Sequence, residues 1–77
     1  MPRDLPEQIH QQRRDLGERI RVLRSGARKT QEAFAEMTGI DRRTLQRIER
    51  GTSDPRFSDL LLIARALEMT VSDLVQE

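Results

Sequence analysis

Cysteine, tryptophan and tyrosine are all absent from this chain of 77 residues. Without cysteine there is no disulfide framework and no thiolate metal site. A domain this close to the lower size limit for unassisted folding must then be held by apolar packing. Only Phe34 and Phe57 are aromatic, so that packing is aliphatic. Glycine and proline are sparse and sit mainly at the edges of apolar patterns, as in a small all-helical protein. No apolar run approaches the roughly 20 residues that cross a bilayer. The longest, Leu60 to Ala64, has five residues. The N-terminal stretch MPRDLPEQIHQQRRD contains no apolar signal-peptide core, so a cytoplasmic location away from membranes is expected.

Catalytic chemistry is equally thin. His10 is the one histidine, and no ligand or nucleophile pattern surrounds it. There is no glycine-rich phosphate loop. Glu32 and Glu36, four apart on a helix pattern, read as a solvated face. Met37 and Met69 read as core fillers. The expectation is no enzyme, no metal and no cofactor. The chain also leaves no room for a separate ligand domain, so small-molecule control is not expected within it.

A net charge of +1 hides an uneven distribution. Residues 1–18 carry net −1, residues 19–56 net +5, and residues 57–77 net −3. A basic middle followed by an acidic end fits an anionic partner for the middle third.

The apolar spacing predicts five helices and no strand. Asp4, Pro6 and Glu7 resemble a helix start, with Asp4 as capping acceptor. Leu16, Ile20 and Leu23 then recur at helical spacing, with Ile9 one heptad before Leu16. Gly17 inside this pattern costs about 1 kcal/mol relative to alanine. It marks either a close backbone approach or a bend of an N-terminal extension. Gly26 is the expected C-cap. The second helix starts after Thr30, buries Ala33, Phe34 and Met37, and stops at Gly39. The third runs from the cap Asp41 to Gly51. Thr52 to Pro55 form a loop. The fourth helix places Phe57, Leu60, Ile63, Ala64 and Leu67 on one face, with a cap from Ser58 or the neighbours of Pro55. Thr70 and Asp73 form a capping box for a last short helix carrying Val71, Leu74 and Val75. Residues 1–12 read as an extension, frayed over 1–5 or continuing the first helix, and residues 13–77 as the domain.

The third helix has two unlike sides. With Asp41 at zero, Leu45 falls near 40° and Ile48 near 340°, while Arg42, Arg43, Gln46, Arg47 and Arg50 fall between about 100° and 240°. The apolar pair faces a core and the arginines face away. A guanidinium fork gives phosphate or guanine two parallel hydrogen bonds, and a glutamine amide can pair bidentately with adenine.

At these residues the sequence resembles the helix-turn-helix domain of the Cro and phage-repressor type, the XRE family. The matching text is LGERIRVLR, TQEAFAEMTGIDRRTLQRIERG, then P-x-F-x-x-L-x-x-I-A-x-A-L and T-V-S-D-L, over residues 16–75. Gln31, Ala35, Gly39, Ile40, Leu45, Ile48, Glu49, Gly51 and Pro55 at these spacings carry it. The resemblance implies a compact all-α five-helix fold with the helix-turn-helix at the second and third helices. It implies that Arg42, Arg43, Gln46 and Arg47 sit in the major groove of double-stranded DNA. It places Gln31, Thr44, Arg50, Arg28 and Lys29 as backbone contacts, and Arg24 and Glu49 as an inter-helix salt bridge. Glu49 itself falls near 80° on the wheel, at the edge facing the first helix, and reads as structural because a carboxylate in the groove would repel phosphate.

Three positions depart from the family pattern. Lys29 stands at a usually aliphatic site, which predicts a first corner that is looser or turned toward DNA. Thr38 replaces a small or apolar residue before Gly39. Glu68 stands where glycine often closes the fourth helix, so another cap is expected there.

The functional expectation is a sequence-specific transcriptional regulator, a repressor working as a homodimer on a palindromic operator. Leu62, with Leu61 and Met69, is the candidate dimer contact, and Leu5 with Ile9 the competing one. The alternative is an antitoxin or adaptor that uses the same fold to bind a toxin or other protein.

Overall fold

The computed structural model describes residues 4–76. Among these residues it is all-helical, in the order α1 (Glu7–Gly26), α2 (Gln31–Thr38), α3 (Arg42–Arg50), α4 (Phe57–Ala66) and α5 (Val71–Leu74). The first three residues, where part of the expected fraying falls, lie outside the described residues. Residues 4–6 are not helical, and α1 runs from Glu7 without a break past residue 12. Asp4 does not cap it. The N-cap position is Pro6, with no side-chain hydrogen bond to the helix end.

The core is aliphatic around one ring. Ile20, Phe34, Ile40, Leu45, Ile48, Ile63, Ala64 and Leu74 are buried, with Leu16, Leu23, Leu60, Leu67, Met69 and Val71 packed around them. Met37, Phe57 and Val75 do not join it, against the pattern-based expectation. Met37 is half exposed because α2 turns Phe34 and Thr38, one turn apart, toward the core and leaves position 37 beside that stripe. Phe57 is the first residue of α4, at the edge of a buried arc centred on Ile63, and is 66% exposed. Val75 follows the end of α5 and faces outward.

Helix ends follow backbone chemistry more than residue type. Thr30 accepts from the Ala33 amide at 3.0 Å, and Thr70 and Asp73 form the reciprocal capping box, with bonds of 3.0 and 3.3 Å. At α4 the Asp59 carboxylate reaches back to the Arg56 amide at 3.0 Å, so Asp59 and not Ser58 serves that end. Gly26 lies inside the last turn of α1, and the left-handed residue is Arg28 at φ 59°. Lys29 N–H then donates to Arg24 C=O at 3.2 Å. Glu68, at φ 57°, closes α4 in the same way, with Met69 N–H donating to Ala64 C=O at 2.9 Å. These bonds satisfy carbonyls that a helix end otherwise leaves orphaned, and they hold two non-glycine residues left-handed at a cost of about 1 kcal/mol each.

Thr38 has a physical reason. Its hydroxyl donates to Phe34 C=O at 2.8 Å and accepts from the Ile40 amide at 3.1 Å. It thereby satisfies a buried amide inside the turn that an aliphatic side chain would leave without a partner.

Two glycines mark a close approach between α1 and the C-terminal end of α3. A β-carbon on Gly17 would meet the backbone of Ile48 and Glu49 at under 3 Å, including Glu49 O at 2.6 Å. A β-carbon on Gly51 would lie 2.6 Å from Arg14 Cα. Gly51 also takes the left-handed conformation at φ 73°. Gly17 therefore marks close packing and not a bend. Gly17→Ala gains about 1 kcal/mol of helix propensity but overpacks against backbone, which costs typically 1–3 kcal/mol or more. Net destabilisation with a lowered urea midpoint is the expected result; an unchanged midpoint would mean that the two backbones are not locked together.

Candidate nucleic-acid interface

The second and third helices meet at a turn built from three residues, Gly39, Ile40 and Asp41. Gly39 closes α2 in the left-handed conformation at φ 74°, and its N–H donates to Ala35 C=O at 2.8 Å. Ile40 is buried in the core. The Asp41 carboxylate accepts from the Thr44 amide at 3.2 Å and opens α3. At the other end Thr52 N–H donates to Arg47 C=O at 3.0 Å, with Gly51 as the left-handed residue. A nine-residue helix is marginal in isolation. Here both ends are capped and Leu45 and Ile48 are fully or almost fully buried, so packing fixes it.

The outward side of α3 is cationic. Arg42, Arg43, Arg47 and Arg50 are all exposed, and Thr44 and Gln46 are half-buried at its margins. Among the described residues none of these four arginines pairs with a carboxylate. Six arginines elsewhere are engaged. Arg13 pairs with Asp54, Arg14 with Glu7, Arg21 with Glu18, Arg24 with Glu49 and Arg56 with Asp59. Arg19 donates to the Leu74 and Asp73 carbonyls at 2.9 and 2.7 Å, which ties α5 to α1. The pairs on α1 are strong enough to register in acidity. Hydrogen bonding to Arg14 holds the Glu7 carboxyl below its ordinary value, and hydrogen bonding to Arg21 does the same for Glu18. Arg28 and Lys29 are exposed at the α1–α2 corner. That corner is not loose: Arg24 Nη1 donates to Lys29 C=O at 2.7 Å.

Behind the cationic face lies a polar network. Arg24 donates to Glu49 through Nε at 2.7 Å and Nη2 at 3.1 Å. Their side chains are 12% and 3% exposed, so this is a buried, bidentate pair. Gln31 Nε2 donates to the same carboxylate, at 3.0 Å from Oε1. Gln46 Nε2 donates to Gln31 Oε1 at 3.3 Å. The structure therefore brings together Arg24, Glu49, Gln31 and Gln46. Gln31, expected at a phosphate, directs its amide inward to this network.

The α4 candidates are split. Leu62 lines a shallow groove with Ala27, Met37, Arg65 and Leu67, whereas Leu61 follows Phe57 by one turn on the other flank. Met69 is partly buried against the core. Sequence reasoning missed Phe57 as a surface residue. Its place at the first position of the helix was the available signal.

A turn of this form, with a second helix whose polar side is an unpaired arginine cluster, is matched by a family profile described as helix-turn-helix, HTH_3, over residues 20–74. The chain belongs to the HTH_3 helix-turn-helix family. Solved structures of the family's kind agree. The restriction-modification controller protein C.AhdI from Aeromonas hydrophila is 31% identical with a TM-score of 0.77, over 79% of this chain and 92% of that one. An HTH_3 family transcriptional regulator from Vibrio cholerae is 29% identical with a TM-score of 0.79. The match takes in 86% of this chain but only 37% of the Vibrio protein. A hypothetical transcription factor, NHTF, from Neisseria is 27% identical with a TM-score of 0.79, over 99% of this chain and 86% of that one. No match was found among curated proteins. Family members are DNA-binding transcriptional regulators and not enzymes, and this chain has their fold. No helix among the described residues is long and apolar enough to cross a membrane.

The buried pair gives a direct test. Removing one partner of a buried salt bridge costs about 3–5 kcal/mol, because the other charge is left without compensation. Glu49→Ala is expected to lower stability by that order in chemical denaturation. The paired change Arg24→Met with Glu49→Leu should recover a large part of the loss. Equal losses from the single and the double change would mean that the charge left behind is not the source.

Proposed function

We propose that this chain is a sequence-specific double-stranded-DNA-binding transcriptional regulator, acting as a repressor and as a homodimer. The carrying observation is the set of four exposed arginines on α3 that have no carboxylate partner among the described residues, beside a network that fixes the helix from behind. An arginine cluster without internal partners is available to phosphate and to the guanine edge, which offers two acceptors in the major groove. Arg42, Arg43, Gln46 and Arg47 are the base-reading residues. Arg50, Thr44, Arg28 and Lys29 are the phosphate contacts, which fix register without reading sequence. Repression needs only occupancy, since a domain seated on promoter DNA keeps other proteins from that stretch. The likeness to a restriction-modification controller that this chain covers almost end to end supports a regulator working from this domain.

Two copies would set two α3 helices into successive major grooves about 34 Å apart, on a palindromic site. The exposed leucines of α4 support such an assembly: Leu61 is 48% and Leu62 is 38% exposed. Leu62→Glu is expected to shift the sedimenting species from dimer to monomer. Unchanged sedimentation at high protein concentration rejects that face and leaves Ile9 on α1, 39% exposed, as the alternative.

The base-reading role separates from the phosphate role by comparing specific and random duplexes. Arg43→Ala is expected to cost about 1–3 kcal/mol on a selected site and to relax preference at one position. Arg50→Ala should weaken all sequences alike and reduce the salt slope by about one. Equal losses on specific and random duplex for Arg43→Ala would refute base reading by that residue.

A further inference from the structure

The network behind α3 has a direction. Glu49 is a buried carboxylate and can only accept hydrogen bonds. Arg24 takes up part of its capacity through two donors. The side chain of Gln31 reaches the same carboxylate at 3.0 Å, and the chemistry leaves one orientation: its NH2 faces Glu49 and its carbonyl faces away. That carbonyl meets the amide of Gln46 at 3.3 Å. Gln46 must then offer an N–H to Gln31, because turned the other way its carbonyl oxygen would confront the Gln31 oxygen. What remains of Gln46 for an outside ligand is one N–H and the whole carbonyl.

We infer that Gln31 is a positioning residue that fixes the amide of Gln46 through the buried Glu49 carboxylate, and so makes Gln46 select adenine over guanine. This rests on the DNA-reading function proposed above. In the major groove adenine offers a donor at N6 and an acceptor at N7, which match a carbonyl and an N–H held side by side. Guanine offers two acceptors, O6 and N7. A freely turning glutamine can meet guanine by pointing its NH2 outward. A glutamine held by Gln31 has only one N–H left for the two guanine acceptors, and turning its whole NH2 outward would set two carbonyl oxygens against each other. The base preference at this position is thus set three residues away from the base, by a carboxylate that never touches it.

A phosphate clamp at Gln31 predicts something different, a uniform loss on every sequence. The test is a single-base substitution scan of a site selected from a random duplex pool. Wild type, Gln31→Ala, Gln31→Met, Gln46→Ala and the Gln31→Ala, Gln46→Ala pair are each measured by competition binding. Gln31→Met keeps the side-chain volume, and a thermal melt of each variant confirms that it folds. The expected result is that wild type prefers adenine to guanine at one position by roughly ten-fold, the scale of a bidentate contact. Both Gln31 variants should raise guanine binding there toward that of adenine and leave the other positions and the salt slope unchanged. Once Gln46 is alanine, removing Gln31 should have no further effect on that position. An equal loss on every sequence for both Gln31 variants, or additive losses in the pair, overturns the positioning role and leaves the DNA-reading function standing. A wild-type profile with no base preference anywhere overturns both.

Discussion

Glu49 is a carboxylate taken out of water, and a charge in that place survives only if donors converge on it. Three do, from two other helices: two from Arg24 on α1 and one from Gln31 on α2. The carboxylate therefore acts as the common point of α1, α2 and α3. Beside the ion pair, α1 crosses the end of α3 almost backbone to backbone. Gly17 and Gly51 are the two positions where a β-carbon would collide with the opposite chain. The ion pair and the two glycines lie at the same crossing.

The same logic explains how a chain with a net charge of only +1 presents a strongly cationic surface. Five of its acids pair with arginines away from the outward face of α3. Five arginines outside the outward face have carboxylate partners, and a sixth holds the carbonyls at the end of α5. Arg42, Arg43, Arg47 and Arg50 are left with none among the described residues. Surface ion pairs are worth little in stability, so pairing does not account for the fold. It does determine which cations remain for an anionic partner, and leaves four of them together on one helix face.

Much of this arrangement was legible beforehand. The 3.6-residue period gave Leu45 and Ile48 as the buried side of α3 and the arginines as the other. Thr30, Asp41 and the Thr70–Asp73 pair were visible as caps because their chemistry is local, needing only an oxygen three residues before an amide. What was not legible depends on contacts distant in sequence or on backbone conformation. Met37 and Phe57 fit an apolar stripe, yet position 37 lost its place to Thr38, whose hydroxyl satisfies the turn, and Phe57 sits where α4 projects past the core. Arg28 and Glu68 hold left-handed conformations that composition assigns to glycine. The inward turn of Gln31 could not be read at all, since nothing in the spacing says that a first-turn glutamine will meet an acid 18 residues later.

A purely apolar contact in place of Arg24 and Glu49 could hold the same helices, and replacing buried ion pairs by packed hydrophobic groups is often neutral or stabilising. Stability alone therefore gives no reason for the pair. Orientation does. An apolar side chain at position 49 would leave the Gln31 amide free to turn, and with it Gln46, since neither glutamine has another partner that distinguishes its oxygen from its nitrogen among the contacts seen. A carboxylate is the one group at that place that accepts on every side, so it imposes a single sense on the whole chain of amides. The asymmetry begins in the core and ends at the surface, on the helix face proposed to read bases.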